Sequence, residues 1–364
     1  MGLELRNVSK KFGDVVALSD VSIKIEKGEY VVILGPTGAG KTTMLRVIAG
    51  LEELDSGDIL LDDKIVTKAD PEERGVVYLS QTYSLFPHMN VLENTEFGPE
   101  VRNWNPANQD KIVKEMLNLV RLQDRVDAFP NELSGGMKQR NALARALSTN
   151  VRTLLLDEPL RALDARLRLS LRTELRRMSK DLGITGLHVT HDQEEAITIA
   201  DRIVILRKGK IIQVGTPAEI YDDPVSPFVQ HFVGEANFFC GTIQEKNERG
   251  SLVKCDGLKV SARPTDIPVG SEVCVGIKTE RCHVSKGKEE GLNKLPGTLE
   301  RELFLGRLSS IEISSEYGNL KAKVLAEVSA TMAEGEDVTL HFDRGQAIVF
   351  PIPDEGLEKE LEVE

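Results

Sequence analysis

The chain has 364 residues, enough for two or three domains with separate cores, and its 40% hydrophobic and 29% charged content is that of an ordinary soluble protein. A formal net charge of -12 argues against a general nucleic-acid binder, and no stretch reaches the roughly 20 apolar residues that a membrane-spanning helix needs. The N-terminus lacks the apolar segment of a secretion signal, so the chain is expected in the cytoplasm, free to dock on a membrane partner.

Leu3, Leu5 and Val8, then Val21, Ile23 and Ile25, alternate with polar residues as half-buried strands do. They predict an antiparallel β layer beside a nucleotide core. Phe12-Gly13 falls in a loop between these strands, where an exposed ring can stack on a base through its π-face. Residues 30–34 then read as a buried strand and residues 43–49, from Thr43 to Ala49, as a helix. Between them Gly35-Pro36-Thr37-Gly38-Ala39-Gly40-Lys41-Thr42 matches the phosphate-loop pattern GxxxxGK[ST]. Strand, glycine loop and helix in that order predict a nucleotide-binding protein. The glycines let backbone N–H groups turn inward around phosphate oxygens, and the helix N-terminus adds its positive dipole end. Lys41 is expected to reach the β- and γ-phosphates and Thr42 to bind Mg²⁺.

Residues 56–62 read as a turn and strand, and residues 74–80 as a strand ending in Gln81, which at a strand's C-terminal edge is placed to reach a metal ion or attacking water. Ile112, Val113, Met116, Leu117 and Val120 recur at helical spacing and predict a small helical subdomain. The large apolar groups just before it, Tyr83, Leu85, Phe86 and Met89, serve either to pack that subdomain on the core or to dock a partner. Ser134-Gly135-Gly136 opens a helix running to Leu147 and makes a second anion-binding N-terminus. Residues 153–156 form an apolar run, typical of a buried parallel strand, that stops at Asp157 and Glu158. Asp157 is expected to support Mg²⁺ and Glu158 to orient or deprotonate the attacking water. A further strand over residues 186–191 ends in His191, placed to contact the γ-phosphate or position the water.

The phosphate loop, Gln81, LSGGM at 133–137, LLLDEP at 154–159, LRALD at 160–164 and VTHDQEEA at 189–196 together resemble the nucleotide-binding subunit of an ATP-binding cassette (ABC) transporter. The resemblance covers about residues 3 to 234. It implies an α/β fold, a RecA-like phosphate-loop NTPase core with an antiparallel β layer and a helical subdomain. It also implies ATP and Mg²⁺ as cofactors, and a head-to-tail homodimer in which Ser134, Gly135 and Gly136 of one copy cover the γ-phosphate held by Lys41 of the other. On this resemblance Phe12 stacks on adenine, residues 35–43 cradle the phosphates, and Gln81 senses the metal and signals to the membrane subunit. Asp157 supports Mg²⁺, Glu158 is the catalytic base, Asp164 contacts the partner, and His191 holds the γ-phosphate. Met137 stands where the family signature has Gln, and Arg161 where the segment before Asp164 has Ser.

The last third turns to short alternating strands, at residues 239–244, 252–255, 273–277, 308–313 and 338–342, which predict a small β-barrel. It resembles the OB-like (TOBE) domain of importer ATPases for sugars, polyamines, iron and oxyanions, with roles in dimer stabilisation or ligand sensing. The 234–237 junction is closer to those of polyamine and oxyanion importers than to that of maltose importers. Cys240, Cys255, Cys274 and Cys282 all lie here, and none forms a CxxC pair, which argues against a zinc knuckle. They are expected to be reduced, small buried hydrophobes, with Cys282-His283 beside Cys274 as the cluster to check for metal.

The expected organisation is an ATPase domain over 1–234 with its helical subdomain at about 85–148, a β-barrel domain over 235–353 and a disordered acidic tail over 354–364. The expected function is an ATP hydrolase on the cytoplasmic face of the membrane that powers an importer. Its expected partners are two transmembrane permease subunits and, indirectly, a substrate-binding protein, with no nucleic acid. Two rivals are a soluble ABC ATPase acting on DNA or ribosomes, which predicts a coiled-coil insert or two cassettes in one chain, and a ligand-sensing module in which the barrel switches the ATPase.

Overall fold

The alternation at the N-terminus produces β1 (Leu3–Phe12) and β2 (Val15–Ile25), an antiparallel pair with Leu3 opposite Ile25 and Val8 opposite Val21. Leu3, Leu5, Val8, Leu18, Val21, Ile23 and Ile25 are buried and most of their polar neighbours face solvent, while Phe12, Val15 and Val16 at the hairpin end are exposed. The computed structural model describes residues 2–149, 152–161, 163–255 and 257–362. They form two units that divide between Asp222 and Asp223.

In the first unit, β3 (Tyr30–Leu34) and α1 (Lys41–Ala49) flank the phosphate loop, followed by β4 (Ser56–Leu61), β5 (Lys64–Ile65) and β6 (Val77–Leu79). Three helices come next, α2 (Val91–Val101), α3 (Pro106–Leu119) and α4 (Gly135–Ser148). The unit continues with β7 (Thr153–Asp157), α5 (Ala165–Leu182), β8 (Thr185–Thr190) and α6 (Gln193–Ile199). It ends with β9 (Arg202–Arg207), β10 (Lys210–Gly215) and α7 (Pro217–Asp222).

Two sheets result. One is the antiparallel layer, in the order β2-β1-β4-β5; the other is the core sheet, β10-β9-β3-β8-β7-β6, parallel except for β10. β3, β7 and β8 are buried along their whole length, which is why β3 and residues 154–156 of β7 read as apolar runs, while β8 also encloses the polar Thr185, His188 and Thr190. Leu5, Ile25, Ile33, Met44, Ile48, Leu155 and Val204 share one core that joins α1, the antiparallel layer and one face of the parallel sheet. Because β3, β8 and β7 are parallel neighbours, Leu34 lies beside Thr190 and Asp157 beside Val189. The loops that follow these strands therefore emerge on one edge.

The helical subdomain is present, held by buried amides. Asn94 accepts from Phe86 N–H and donates to the Phe86, Met89 and Asn90 carbonyls, and Asn141 of α4 donates to Val91 O and Thr95 Oγ1 of α2. The strand expected from residue 74 starts only at Val77, because Arg74 has another task. Its buried guanidinium donates to the Val47 and Ile48 carbonyls at 2.8 and 3.0 Å, satisfying the C-terminus of α1, and to Thr67 O and Ala69 O. Burial lowers its pKa without removing the charge.

The second unit carries α8 (Pro227–Val233), β11 (Ala236–Asn247), β12 (Gly250–Cys255), β13 (Leu258–Ala262), β14 (Glu272–Lys278) and β15 (His283–Lys286). Next come β16 (Lys294–Phe304), β17 (Leu308–Ser315), β18 (Gly318–Leu325) and the short α9 (Ala326–Ser329). β19 (Asp337–His341), β20 (Ile348–Pro351) and α10 (Leu357–Leu361) complete it. Its strands form two antiparallel sheets, β13-β12-β11-β14-β20 and β15-β19-β16-β17-β18, around one core that includes Val253, Val275, Leu295, Ile311 and Val338. Four of the five predicted strands lie within β11, β12, β14 and β17, and the one expected at 338–342 is β19, which ends one residue earlier at His341.

Three expectations change here. The division between units falls before the expected 234/235 boundary, because α8 packs on β14. The tail expected to be disordered carries α10, whose Leu357 and Leu361 share a face, are half-buried, and belong to a helix that packs against α8. Cys240 is exposed rather than buried, because it lies on the face of β11 opposite Phe239 and Ile243. Among the described residues no three His, Cys, Asp or Glu side chains gather as a metal site, and no helix is long and apolar enough to cross a membrane.

Replacing Arg74 by Met keeps the length of the side chain but orphans the carbonyls at the end of α1. Urea unfolding of Arg74→Met is expected to show a loss of about 2–4 kcal/mol.

Candidate nucleotide site

The phosphate loop is held open by steric necessity at two glycines. A Cβ at Gly35 would lie 2.1 Å from Leu206 O, and one at Gly40 would lie 2.2 Å from Ala17 O, with a backbone φ of +101° that favours glycine. At its end Lys41 is folded back and only 8% exposed, its Nζ donating to Gly35 O and Pro36 O at 2.8 Å each. Burial pushes its pKa down, while the Glu158 and Asp157 carboxylates pull it up in part. The ammonium thus sits on loop carbonyls, ready to exchange them for phosphate oxygens.

Thr42 Oγ1 donates to Asp157 Oδ1 at 3.1 Å, and Tyr78 OH donates to Asp157 Oδ2 at 3.2 Å. Asp157 is 1% exposed, and burial raises its carboxyl above the usual range despite these two hydrogen bonds. A hydroxyl and a carboxylate at one point are hard oxygen donors of the kind Mg²⁺ takes, so the residues present fit that ion.

Glu158 follows β7 in the left-handed region, with φ of +49°, its N–H donating to Val189 O at 3.0 Å. Its carboxylate is engaged by three groups. Oε2 accepts from Gln81 Nε2 at 3.0 Å and from Arg161 Nη1 at 2.8 Å, and His191 Nδ1 lies 3.3 Å from Oε1. Two of these partners, Gln81 and His191, were named from sequence, and with Glu158, Asp157, Lys41 and Thr42 they lie on one edge.

β8 ends at Thr190, one residue before the expected position, because Asp192 caps α6 by accepting from Glu195 N–H at 2.9 Å. Thr190 Oγ1 donates to the buried Glu195 Oε2 at 2.6 Å and accepts from Asp192 N–H at 3.0 Å, so His191 is gripped on both sides. Burial works to raise the Glu195 carboxyl, but His188, Thr190 and Arg172 outweigh it and hold the group below its usual range.

The remaining candidates stand apart from this cluster. Ser134 caps α4 by accepting from Met137 N–H at 3.3 Å, and Gly135 has open space around it. Asp164 caps α5 in the same way, accepting from Leu167 N–H at 3.0 Å. Phe12 is 45% exposed at the end of β1, with Lys10 Nζ 4.9 Å above its ring. Two residues not singled out from sequence also shape the site. Gln139 is fully buried on α4, and its Nε2 donates to Pro159 O at 2.6 Å and to Glu158 O at 3.3 Å, fixing the turn after β7. The signal for it was a glutamine on the apolar face of the helix that Ser134 opens. Arg161, noted only as a departure, is an ion-pair partner of Glu158.

A family model described as ABC transporter matches residues 18–161, and one described as TOBE domain matches residues 275–350. The spermidine/putrescine import ATP-binding protein PotA of Thermotoga maritima is 40% identical over 321 residues, 87% of each chain. The chain belongs to the ABC import ATP-binding subunits. The sulfate/thiosulfate import ATP-binding protein CysA of Ralstonia nicotianae is 41% identical over 341 residues, 92% of this chain and 91% of that protein. A solved dimeric ATP-binding cassette in a post-hydrolysis state, bound to ADP and Pi, is 31% identical with a TM-score of 0.55, covering 59% of this chain and 98% of its own. This ABC subunit is an ATP-binding ATPase of the import class, with a mixed α/β cassette followed by an antiparallel TOBE region.

Two substitutions test the geometry. Gly40→Ala is expected to lower ATP affinity at least about tenfold by equilibrium binding, because a new Cβ displaces the loop. Glu158→Gly is expected to raise the unfolding free energy by about 0.5–1 kcal/mol in urea, because it relieves a left-handed glutamate.

Proposed function

We propose that this subunit closes as a head-to-tail homodimer around two ATP molecules and drives uptake of a small ionic solute through two transmembrane permease subunits. The observation that carries this reading is the division of the site. Lys41, Thr42, Gln81, Asp157, Glu158 and His191 meet on one edge, while the capped, open helix end at Ser134–Gly136 makes no hydrogen bond to them. A serine-capped helix end that, among the described residues, makes no hydrogen bond to this cluster suits the γ-phosphate held by a second copy.

In this reading Phe12 stacks on adenine, residues 35–43 wrap the phosphates, and Lys41 trades its two carbonyl partners for β- and γ-oxygens. Thr42, Asp157 and Gln81 would hold Mg²⁺, which neutralises phosphate charge when bound. Glu158 accepts the proton of the attacking water, His191 steadies the γ-phosphate, and Asp164 meets the partner subunit. Two of the three donors share Oε2, so Oε1, which among the described residues faces only His191, keeps acceptor capacity for the attacking water.

The permease contact falls on a groove of about 260 Å³ lined by Phe86, Phe97, Val101, Ala142 and Arg145, with the Arg145 guanidinium 4.9 Å above the Phe86 ring. Of the apolar groups at 83–89, expected either to pack the subdomain or to dock a partner, Phe86 lines this groove, which adjoins Tyr78, the residue that bonds Asp157. The subunit then works at the cytoplasmic face of the membrane, with a substrate-binding protein delivering cargo from the other side. The relatives divide between polyamine and sulfate import, which supports a charged solute of one of these kinds. The second unit serves to hold the dimer together, and exposed Leu303, Phe304 and Leu305 at the β16–β17 turn support that role.

Glu158→Gln is expected to cut steady-state ATP turnover by about 10²–10⁴ while ATP binding persists, and to elute as a dimer in ATP and Mg²⁺ on size exclusion. Near-normal turnover would remove Glu158 as the base. Full activity from a strict monomer would remove the shared site.

A further inference from the structure

The cysteines of the second unit divide into two kinds. Cys255 and Cys282 are buried in its core, and burial pushes the Cys282 thiol up to about 12. Cys240 and Cys274 are a pair. They are direct partners in the antiparallel ladder between β11 and β14, with their sulfurs 3.3 Å apart. Alternation places both on the sheet face opposite the core residues Phe239, Ile243, Val273 and Val275. Cys240 is exposed and Cys274 is buried beneath it. Burial and the neighbouring Cys240 thiol both raise the pKa of Cys274, which keeps it in the thiol form until a reaction begins next to it.

We propose that Cys240 and Cys274 form a reversible thiol–disulfide site that reacts with low-molecular-weight disulfides such as oxidised glutathione. Cys240, the sulfur that an outside reagent can reach, loses its proton and attacks one sulfur of the small disulfide. The S–S bond of the reagent breaks, a mixed disulfide forms on Cys240, and the departing thiolate takes up a proton. Cys274 then loses its proton and attacks the Cys240 sulfur, displacing the second small thiol. Two protein thiols are oxidised and one small disulfide is reduced to two thiols, so atoms and electrons balance. Directly opposed strand residues have Cβ atoms about 4.5–5.5 Å apart, close to the roughly 3.5–4.5 Å of a disulfide, so closing the contact from 3.3 Å to about 2.05 Å takes side-chain rotation and a small approach of the two strands. The bond would close a segment that contains β12 and β13 and lock β11 to β14 in the middle of the sheet.

The full-length protein is incubated with oxidised glutathione, unfolded and alkylated with iodoacetamide in denaturant so that the buried cysteines react, and examined by intact mass and peptide mapping. The expected result is an intact mass lower by about 2 Da before alkylation, two alkylatable cysteines remaining, and one linked peptide pair that contains Cys240 and Cys274. Dithiothreitol should reverse it. Cys274→Ser and Cys274→Ala should instead accumulate one glutathione on Cys240, Cys240→Ser should give neither product, and Cys255→Ser should behave as wild type. Four alkylatable cysteines in the wild type, a stable glutathione adduct on wild-type Cys240, or a bridge to Cys255 would each overturn the proposal. The wild-type peptide map decides the matter even where a buried substitution disturbs folding.

Discussion

The parallel register of three buried strands is the constraint on which everything chemical in this subunit depends. With Leu34 beside Thr190 and Asp157 beside Val189, the loops that leave β3, β7 and β8 have no choice but to meet. A shift of one residue in any of these strands would turn its side chains to the other face and part Thr42 from Asp157. The strands hold that register because they are enclosed on both faces, β3 and β7 mainly by apolar side chains and β8 by Leu187 and Val189 beside buried Thr185, His188 and Thr190. The catalytic edge is thus positioned by hydrophobic burial beneath it, and the polar contacts at the edge refine a placement already made.

Those polar contacts are costly to assemble, and the fold offsets the cost locally. Lys41 and Asp157 are both withdrawn from water, and each has a pKa moved toward its neutral form. Each is also met by preformed partners, carbonyls for the ammonium and two hydroxyls for the carboxylate. Glu158 adds backbone strain to this account, since a glutamate with positive φ persists only where its surroundings dictate it. Here the dictation comes from Gln139, whose amide grips the two carbonyls of the turn, and from the bond between Glu158 N–H and Val189 O.

Much of the cassette was legible because its chemistry is written in contiguous residues. A phosphate loop between a strand and a helix, or two acids at the end of an apolar run, carries its meaning within ten positions. What escaped was long-range or conformational. Arg74 reads as the start of a strand, and only the fold brings it to the end of α1. Gln139 finds its partners in the turn after β7, and Asn141 finds its own on α2, about fifty residues earlier in the chain. The acidic tail looked disordered by composition, yet two leucines four apart suffice to seat a short helix on α8. Cys240 and Cys274 are separated by two whole strands, and their contact appears only when β11 and β14 are adjacent. Composition placed all four cysteines in the core because a thiol is hydrophobic on average; the side of a strand on which it falls was what decided the case.

Lys41 bonded to the carbonyls of its own loop has a consequence for how ligand arrives. The loop is a finished mould before anything fills it, with its backbone ordering already accomplished during folding. A polyanion that enters exchanges one set of oxygen partners for another and has little further chain to immobilise. On the proposed function, recognition is accordingly a substitution at a preformed socket, and the large motions of the cycle are left to the joining of two subunits.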